Sequence, residues 1–138
     1  MKRLLLDVNV VLDVLLARSP HVAGASAVWA QVELGRAEGF VPAHGITTIY
    51  YLARRSRDRG FAHRAVSDLL SVFRVAVVDD QVIRGALALR WPDFEDAVCA
   101  VSAQSARCGV LVTRDPDGYP GCAVPLLDPA SAAAWIRG

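Results

Sequence analysis

Long apolar segments and an N-terminal targeting segment are both missing from this sequence. The longest apolar stretches in the 138 residues, at 8–16 and 97–103, are short and contain polar residues. A membrane-spanning helix needs about 20 apolar residues in a row, so a transmembrane helix is excluded. Asp7 also comes too early for the apolar region of a signal peptide, which is about 7–15 residues long. The sequence therefore predicts a cytoplasmic protein.

Cysteine-based and nucleotide-binding motifs are missing as well. The three cysteines form no CxxC pair, which favours reduced, buried thiols over disulfides or a zinc site. No GxxxxGK[ST] segment occurs, which excludes a P-loop NTPase. No GxGxxG follows the first predicted strand, which excludes a Rossmann dehydrogenase. The net charge of +1 gives no bulk attraction to nucleic acids, although the chain has fourteen arginines beside one lysine.

The chain does contain many short apolar segments. Hydrophobic residues make up 54% of it and charged residues 21%, which excludes disorder, and its length predicts one domain over 1–138. Strands are predicted at 3–6, 40–42, 75–78, 110–113 and 124–127. Helices are predicted at 10–17, from Ser19-Pro20 to Gly39, and at 46–57, 61–73, 80–89, 93–107 and 130–136, with Gly60 as a break. Apolar strands separated by helices predict a three-layer α/β/α sandwich with a central, mostly parallel sheet.

Aspartates follow two of the predicted strands. Asp7 ends the first strand, and Asp115 follows the strand at 110–113. Ligands of such sheets bind beyond the carboxyl ends of the strands, so both carboxylates share one edge if these strands are neighbours. Asp7 has an alternative interpretation as the N-cap of the next helix. Asp13 is expected to point to solvent, and Asp117 is interpreted as a turn residue.

Two further aspartates open the helix at 93–107. Asp93 and Asp96 are three residues apart and therefore share a helix face. A capping role for both is the alternative interpretation. Several carboxylates at one sheet edge would repel one another, and a hard cation such as Mg²⁺ or Mn²⁺ relieves that repulsion. Such a site suits phosphoryl chemistry with an activated water.

Four segments, in order along the chain, resemble the PIN domain family and within it the VapC-like ribonuclease toxins. They are Leu-Leu-Asp7-Val-Asn9-Val-Val-Leu-Asp13, Ile46-Thr-Thr-Ile-Tyr-Tyr-Leu, Asp93-Phe-Glu-Asp96-Ala and Val112-Thr-Arg-Asp115. The resemblance implies a PIN fold and a metal-dependent endoribonuclease that cleaves RNA with a metal-activated water. A VapC-like role further implies a homodimer and an antitoxin partner.

The resemblance also assigns roles to individual residues. It implies that Asp7, Asp96 and Asp115 are catalytic residues and ligands of Mg²⁺ or Mn²⁺, with Asp93 as an auxiliary ligand. Asn9 and Thr113 match positions that support these ligands by hydrogen bonds. The sequence departs from the family at Thr48, where many members carry an acid. Thr48 is expected to support the site only through a neutral oxygen and a water molecule, so weaker metal affinity is expected.

Arginines supply the expected contacts to RNA. Arg54, Arg55 and Arg57 lie in a basic stretch that is interpreted as a phosphate-binding surface. A docking site for an acidic antitoxin segment and a solvated helix end are the alternatives. Arg114 adjoins Asp115 and is expected to contact substrate phosphate.

Two other functions compete with the nuclease hypothesis. A catalytically weak or inactive RNA-binding or interaction module is consistent with the missing acid at Thr48. A metal-dependent phosphatase is disfavoured, because such enzymes carry a second acid two positions after the first aspartate. This sequence has Asn9 there.

Overall fold

Five strands alternate with helices in the computed structural model, which describes residues 1–138. The strands are β1 (Arg3–Leu6), β2 (Glu38–Pro42), β3 (Arg74–Ala76), β4 (Val110–Val112) and β5 (Leu126–Leu127). The helices are α1 (Val8–Leu15), α2 (Val22–Glu33), α3 (Ala43–Ser56), α4 (Arg59–Val72), α5 (Asp80–Leu89), α6 (Phe94–Ser105) and α7 (Pro129–Arg137). A short 3-10 turn, Pro116–Gly118, follows β4. None of the helices combines the length and apolar character that crossing a membrane requires.

The strands form one parallel sheet in the order β3-β2-β1-β4-β5. β1 is central, and its Leu6 pairs with Val112 of β4. The carboxyl ends of β1 and β4 therefore lie side by side. The segments that follow these strands begin at Asp7 and Thr113, so the polar residues of both segments meet at one edge of the sheet.

Helices cover both faces of the sheet, as the apolar strands predict. Leu4 and Leu6 of β1 pack in a core with α1, α2, α3, α4 and α7, whereas Leu5 packs in a second core with α6. The alternation arises because successive side chains of a strand point to opposite faces. Each fully buried leucine contributes about 1.5–3 kcal/mol. The predicted three-layer α/β/α sandwich is confirmed.

The predicted boundaries of two helices are wrong. α2 begins at Val22, because a turn occupies 19–21. It also ends at Glu33 instead of Gly39, because the chain turns at Gly35, which has a φ of 78°, and Gly39 lies in β2. Gly60 lies inside α4 instead of between two helices. The break comes earlier, because the Asp58 carboxylate accepts a hydrogen bond from Phe61 N at 2.7 Å and caps α4.

Candidate active site

An acidic cleft opens beyond the carboxyl ends of β1 and β4. Its volume is about 210 Å³, and it lies among the N-terminal parts of α1, α3 and α6. Neither lysine nor arginine lines it. Its polar lining comprises Asp7, Asn9, His44, Thr48, Asp93, Glu95, Asp96, Cys99 and Tyr119.

Asp7 is fixed at the base of the cleft by four hydrogen bonds. Its Oδ1 accepts from the backbone N–H groups of Asn9 at 3.0 Å and Val10 at 3.2 Å, so Asp7 is the N-cap of α1. Its Oδ2 accepts from Thr113 Oγ1 at 2.6 Å and from the Tyr119 hydroxyl at 3.3 Å. Burial raises the pKa of Asp7, and these hydrogen bonds offset part of that rise. Asp7 therefore both caps α1 and lines the cleft.

Asp96 and Asp93 enter the cleft from the start of α6. The Asp93 carboxylate caps this helix by accepting from Asp96 N at 3.0 Å, so the capping interpretation applies to Asp93. The Asp96 carboxyl group is half-buried. Its burial, and then the negative charges of Asp93, Asp7 and Asp115, raise the pKa of Asp96 to about 6. The four predicted acids are therefore close enough to repel one another.

Asp115 completes this group from the segment after β4. It is exposed, and its backbone N–H donates to Thr113 Oγ1 at 3.1 Å. Gly118 lies between Asp115 and Asp96. A Cβ atom on Gly118 would lie 2.7 Å from Asp96 Oδ2 and 3.7 Å from Asp115 Oδ2. The absence of a side chain at Gly118 leaves room for the Asp96 carboxylate, whereas the distance to Asp115 is an ordinary van der Waals contact.

The three predicted supporting residues have different surroundings. Thr113 is buried and connects the two strands, since its hydroxyl donates to Asp7 and accepts from Asp115 N. Asn9 is exposed at the rim of the cleft. Thr48 lines the cleft from α3, one turn after His44. The Nε2 of His44 is hydrogen-bonded to Glu95 O at 3.2 Å, whereas its buried Nδ1 has no partner.

The expectation that Asp13 points to solvent is wrong. Its side chain is 0% exposed, and its carboxylate pairs with two arginines, each through an Nε–oxygen contact of 2.8 Å. Arg18 binds Oδ1 and Arg114 binds Oδ2. A buried carboxylate needs such partners because desolvation of an unpaired charge is costly. Arg114 is 101 residues away in sequence, so helical spacing alone could not identify this pair.

Tyr119 was not singled out from the sequence. It is buried against Trp91, with ring centroids 5.9 Å apart, and its hydroxyl donates to Asp7. Burial raises the pKa of Tyr119, which keeps the hydroxyl protonated and able to donate. The only sequence signal was its place just after the Asp-Pro-Asp-Gly turn.

The basic stretch lies outside the cleft. Arg54, Arg55 and Arg57 are exposed at the C-terminal end of α3, and none of them forms an ion pair. Arg55 follows Thr48 by seven residues, so both lie on one helix face about 10 Å apart along its axis. Arg114 lies closer to the acids. Its pKa is raised by its hydrogen bond to Asp13 and, more weakly, by the charges of Asp7 and Asp115.

The donor chemistry of the cleft fits a hard divalent cation. The clustered acids offer carboxylate oxygens, and their charges add to the effect of burial in raising the pKa of Asp96, with no lysine or arginine in the cleft lining. The arrangement is nevertheless open, because no three His, Cys, Asp or Glu side chains are placed to hold a metal ion together. Asp7 already accepts four hydrogen bonds, whereas Asp96 and Asp115 keep carboxylate oxygens without partners.

The sheet order and the acidic strand edge together define an α/β protein with a cluster of carboxylates at the carboxyl ends of its central strands. A family model described as a PIN domain matches residues 3–117. The chain therefore belongs to the PIN domain family, and the resemblance of its four segments to that family is confirmed. No curated protein matches the sequence.

Several solved structures share this fold at low sequence identity. VapBC-1 from nontypeable Haemophilus influenzae is 16% identical, with a TM-score of 0.71 over 92% of this chain and 98% of that chain. A toxin–antitoxin complex from Klebsiella pneumoniae is 19% identical, with a TM-score of 0.68 over 91% and 96%. VapC20 from Mycobacterium tuberculosis, a toxin that cleaves the sarcin–ricin loop, is 17% identical, with a TM-score of 0.68 over 83% and 92%. The fold is therefore VapC-like.

Proposed function

We propose that this chain is a divalent-metal-dependent endoribonuclease and the toxin of a toxin–antitoxin pair. The observation that carries the proposal is the group of four aspartates at the carboxyl ends of β1 and β4. Their mutual repulsion contributes to the raised pKa of Asp96, and neither lysine nor arginine lines the cleft. An unneutralised carboxylate cluster of this kind suits a cation-dependent reaction of a phosphodiester.

Each acid has a distinct part in the proposal. Asp96 and Asp115, which keep free oxygens, hold Mg²⁺ or Mn²⁺, and Asp93 assists from the start of α6. Asp7 is held rigid by Thr113 and lies where the ion and the attacking water would be positioned. When bound, the ion lowers the pKa of water and offsets charge on the phosphate.

The proposed partners are RNA, an antitoxin protein and a second copy of the chain. Structures with the same fold include a toxin–antitoxin complex and a toxin that cleaves the sarcin–ricin loop. The exposed Arg54, Arg55 and Arg57 provide positive charge at the C-terminal end of α3, where Arg55 continues the cleft-lining face of the helix. We place the protein in the cytoplasm.

An RNA-cleavage assay tests the proposal. The purified chain is incubated with single-stranded RNA in Mg²⁺, in Mn²⁺ and in EDTA, and the products are resolved on a gel. We expect RNA cleavage in the presence of the cation and none in EDTA. Either Asp7→Asn or Asp96→Asn should abolish the cleavage. Asp58→Asn is the matched control for Asp7→Asn, because Asp58 is also a helix N-cap but lies on α4, outside the cleft.

Two results would contradict the nuclease proposal. One is cleavage of equal rate in EDTA. The other is cleavage that persists in Asp7→Asn and Asp96→Asn at the rate of Asp58→Asn, since an impurity would then be responsible. The nuclease proposal is supported if the wild-type chain and Asp58→Asn cleave RNA in a cation-dependent way and the other two variants do not.

A catalytically weak or inactive RNA-binding module is the second candidate. Two observations favour it: Thr48 stands where many family members carry an acid, and all acceptor positions of Asp7 are filled. RNA binding without cation-dependent cleavage would select this function. Replacement of Thr48 by glutamate would then be expected to restore cleavage.

A further inference from the structure

A buried ion triad lies next to the acidic cleft. Asp13 on α1 is its centre, and its carboxylate holds Arg18 and Arg114, both contacts through Nε at 2.8 Å. Arg114 adds a second contact, from Nη2 to Asp13 Oδ1 at 3.4 Å. The two guanidinium groups are therefore fixed side by side by one carboxylate that has no contact with solvent.

The triad carries more positive charge than burial of Asp13 requires. One arginine would neutralise Asp13, so the second leaves a net charge of +1. Both arginine side chains remain about one-third exposed, at 34% and 32%. Their Nη1 groups make no hydrogen bond within the chain, which leaves paired N–H donors available.

The triad adjoins the cleft on its α1 side. Arg18 Nη2 donates to the backbone oxygen of Asn9 at 3.1 Å and approaches Asn9 Oδ1 at 3.3 Å, and Asn9 lines the cleft. Arg114 precedes Asp115 directly, and the negative charges of Asp7 and Asp115 act on it. The exposed cations therefore border the carboxylates without entering the cleft.

We propose that Arg18 and Arg114, oriented by Asp13, bind a backbone phosphate of the RNA strand beside the acidic cleft. The proposal rests on the proposed nuclease function and names the contacts that align its substrate. Guanidinium groups bind phosphate oxygens through paired N–H donors, and orientation in advance by Asp13 reduces the entropy lost on binding. A phosphate held here would keep the RNA strand beside the acids, since Arg18 contacts Asn9 of the cleft lining and Arg114 adjoins Asp115.

RNA binding, measured apart from cleavage, tests this site. The full chain is titrated against a fluorescently labelled single-stranded RNA in EDTA over a series of salt concentrations, and a gel verifies that the RNA stays intact. We expect Arg18→Gln and Arg114→Gln each to weaken binding about 5- to 10-fold. Each should also reduce the slope of log K against log salt by about 0.7, since one phosphate contact to a single strand is lost.

Arg84→Gln is the matched control. Arg84 is also paired with an aspartate, Asp80, through its Nε at 2.9 Å, but it lies on α5 away from the cleft. Lysine variants of Arg18 and Arg114 test the site if the glutamine variants fold poorly. They keep the charge and the salt slope, but we expect weaker binding because an ammonium group cannot reproduce the paired contact.

The outcomes separate this inference from the proposed function. Unchanged affinity in the Arg18 and Arg114 variants, or an equal loss in Arg84→Gln, overturns the phosphate site even if the wild-type chain cleaves RNA. A loss specific to Arg18 and Arg114 supports the site even if no cleavage is seen. The phosphate site is overturned if the wild-type chain does not bind RNA. It is also overturned if the Arg18 and Arg114 variants lose affinity for a polyglutamate peptide but not for RNA, since the two arginines would then bind a protein partner.

Discussion

Replacement of Asp96 by asparagine should stabilise the cation-free protein. The pKa of this carboxyl is about 6 in the folded chain, against an ordinary value of 3.8 for an aspartate, a rise of about 2 units. The folded chain binds the proton of Asp96 more tightly than the unfolded chain does, so protonation of Asp96 favours folding. This contribution to the free energy of unfolding is fully present below about pH 4 and is lost as the pH rises through about 6. Removal of the charge should therefore raise stability at pH about 8.

The size of this effect follows from three contributions. A rise of about 2 in pKa corresponds to at most about 3 kcal/mol, and solvent screening of the half-buried carboxyl reduces this to about 1.5 kcal/mol. Asp96 also lies in the first turn of α6, where its charge is favoured by about 0.5 kcal/mol. The expected net gain is about 1 kcal/mol, or about 3–4 °C in Tm for a domain of this size.

Thermal unfolding in EDTA measures this gain at two pH values. Asp96→Asn should unfold at a higher temperature than the wild type at pH about 8, and the difference should vanish near pH 4. Asp80→Asn is the control, because Asp80 also lies in the first turn of a helix but is paired with Arg84. Its replacement should lower Tm slightly. A lower Tm for Asp96→Asn at pH about 8, or an equal gain at both pH values, would refute the argument of mutual repulsion.

Three further substitutions test other parts of the account. Asp13→Ala should lower the free energy of unfolding by about 2–3 kcal/mol in urea titrations, because the loss of a buried ion-pair partner costs about 3–5 kcal/mol and the partial exposure of Arg18 and Arg114 reduces that cost; a change below about 0.5 kcal/mol, the size of an ordinary surface substitution, would contradict this. Gly118→Ala should reduce RNA cleavage at least about 10-fold with little change in Tm, because its Cβ would lie 2.7 Å from Asp96 Oδ2 and displace that carboxylate; unchanged cleavage would disagree. Thr113→Val should cost about 1–3 kcal/mol, since it removes the hydrogen bond that Thr113 donates to the buried Asp7 carboxyl and leaves an oxygen of that carboxyl with one partner fewer; equal urea midpoints would show that this bond contributes nothing.

The architecture could be predicted because its strands have a simple local signature. β1 and β4 are short, fully apolar segments, and such segments between helices belong to a parallel sheet with both faces covered. Boundaries that depend on hydrogen bonds were harder to predict. The start of α4 is set by the cap that Asp58 provides, and the Ser19-Pro20 pair precedes α2 instead of opening it.

The site could be predicted only as far as strand ends determine it. Asp7 and Asp115 follow strands that prove to be neighbours, so their proximity was predictable once that pairing was assumed. The roles of Asp13 and Tyr119 could not be predicted, because each depends on a partner more than 100 residues away in sequence. Such contacts arise from packing of the whole sheet and leave no local pattern.

The most direct test of the account is a crystal structure of the chain grown with Mn²⁺, with the ion located by its anomalous scattering. The account predicts a peak in the acidic cleft, at about 2.0–2.2 Å from carboxylate oxygens of Asp96 and Asp115 and within reach of Asp7. It also predicts that Asp96→Asn removes the peak. No peak in the cleft at saturating Mn²⁺, or one found only at surface acids such as Asp79 and Asp80, would contradict the claim that these aspartates form a metal site.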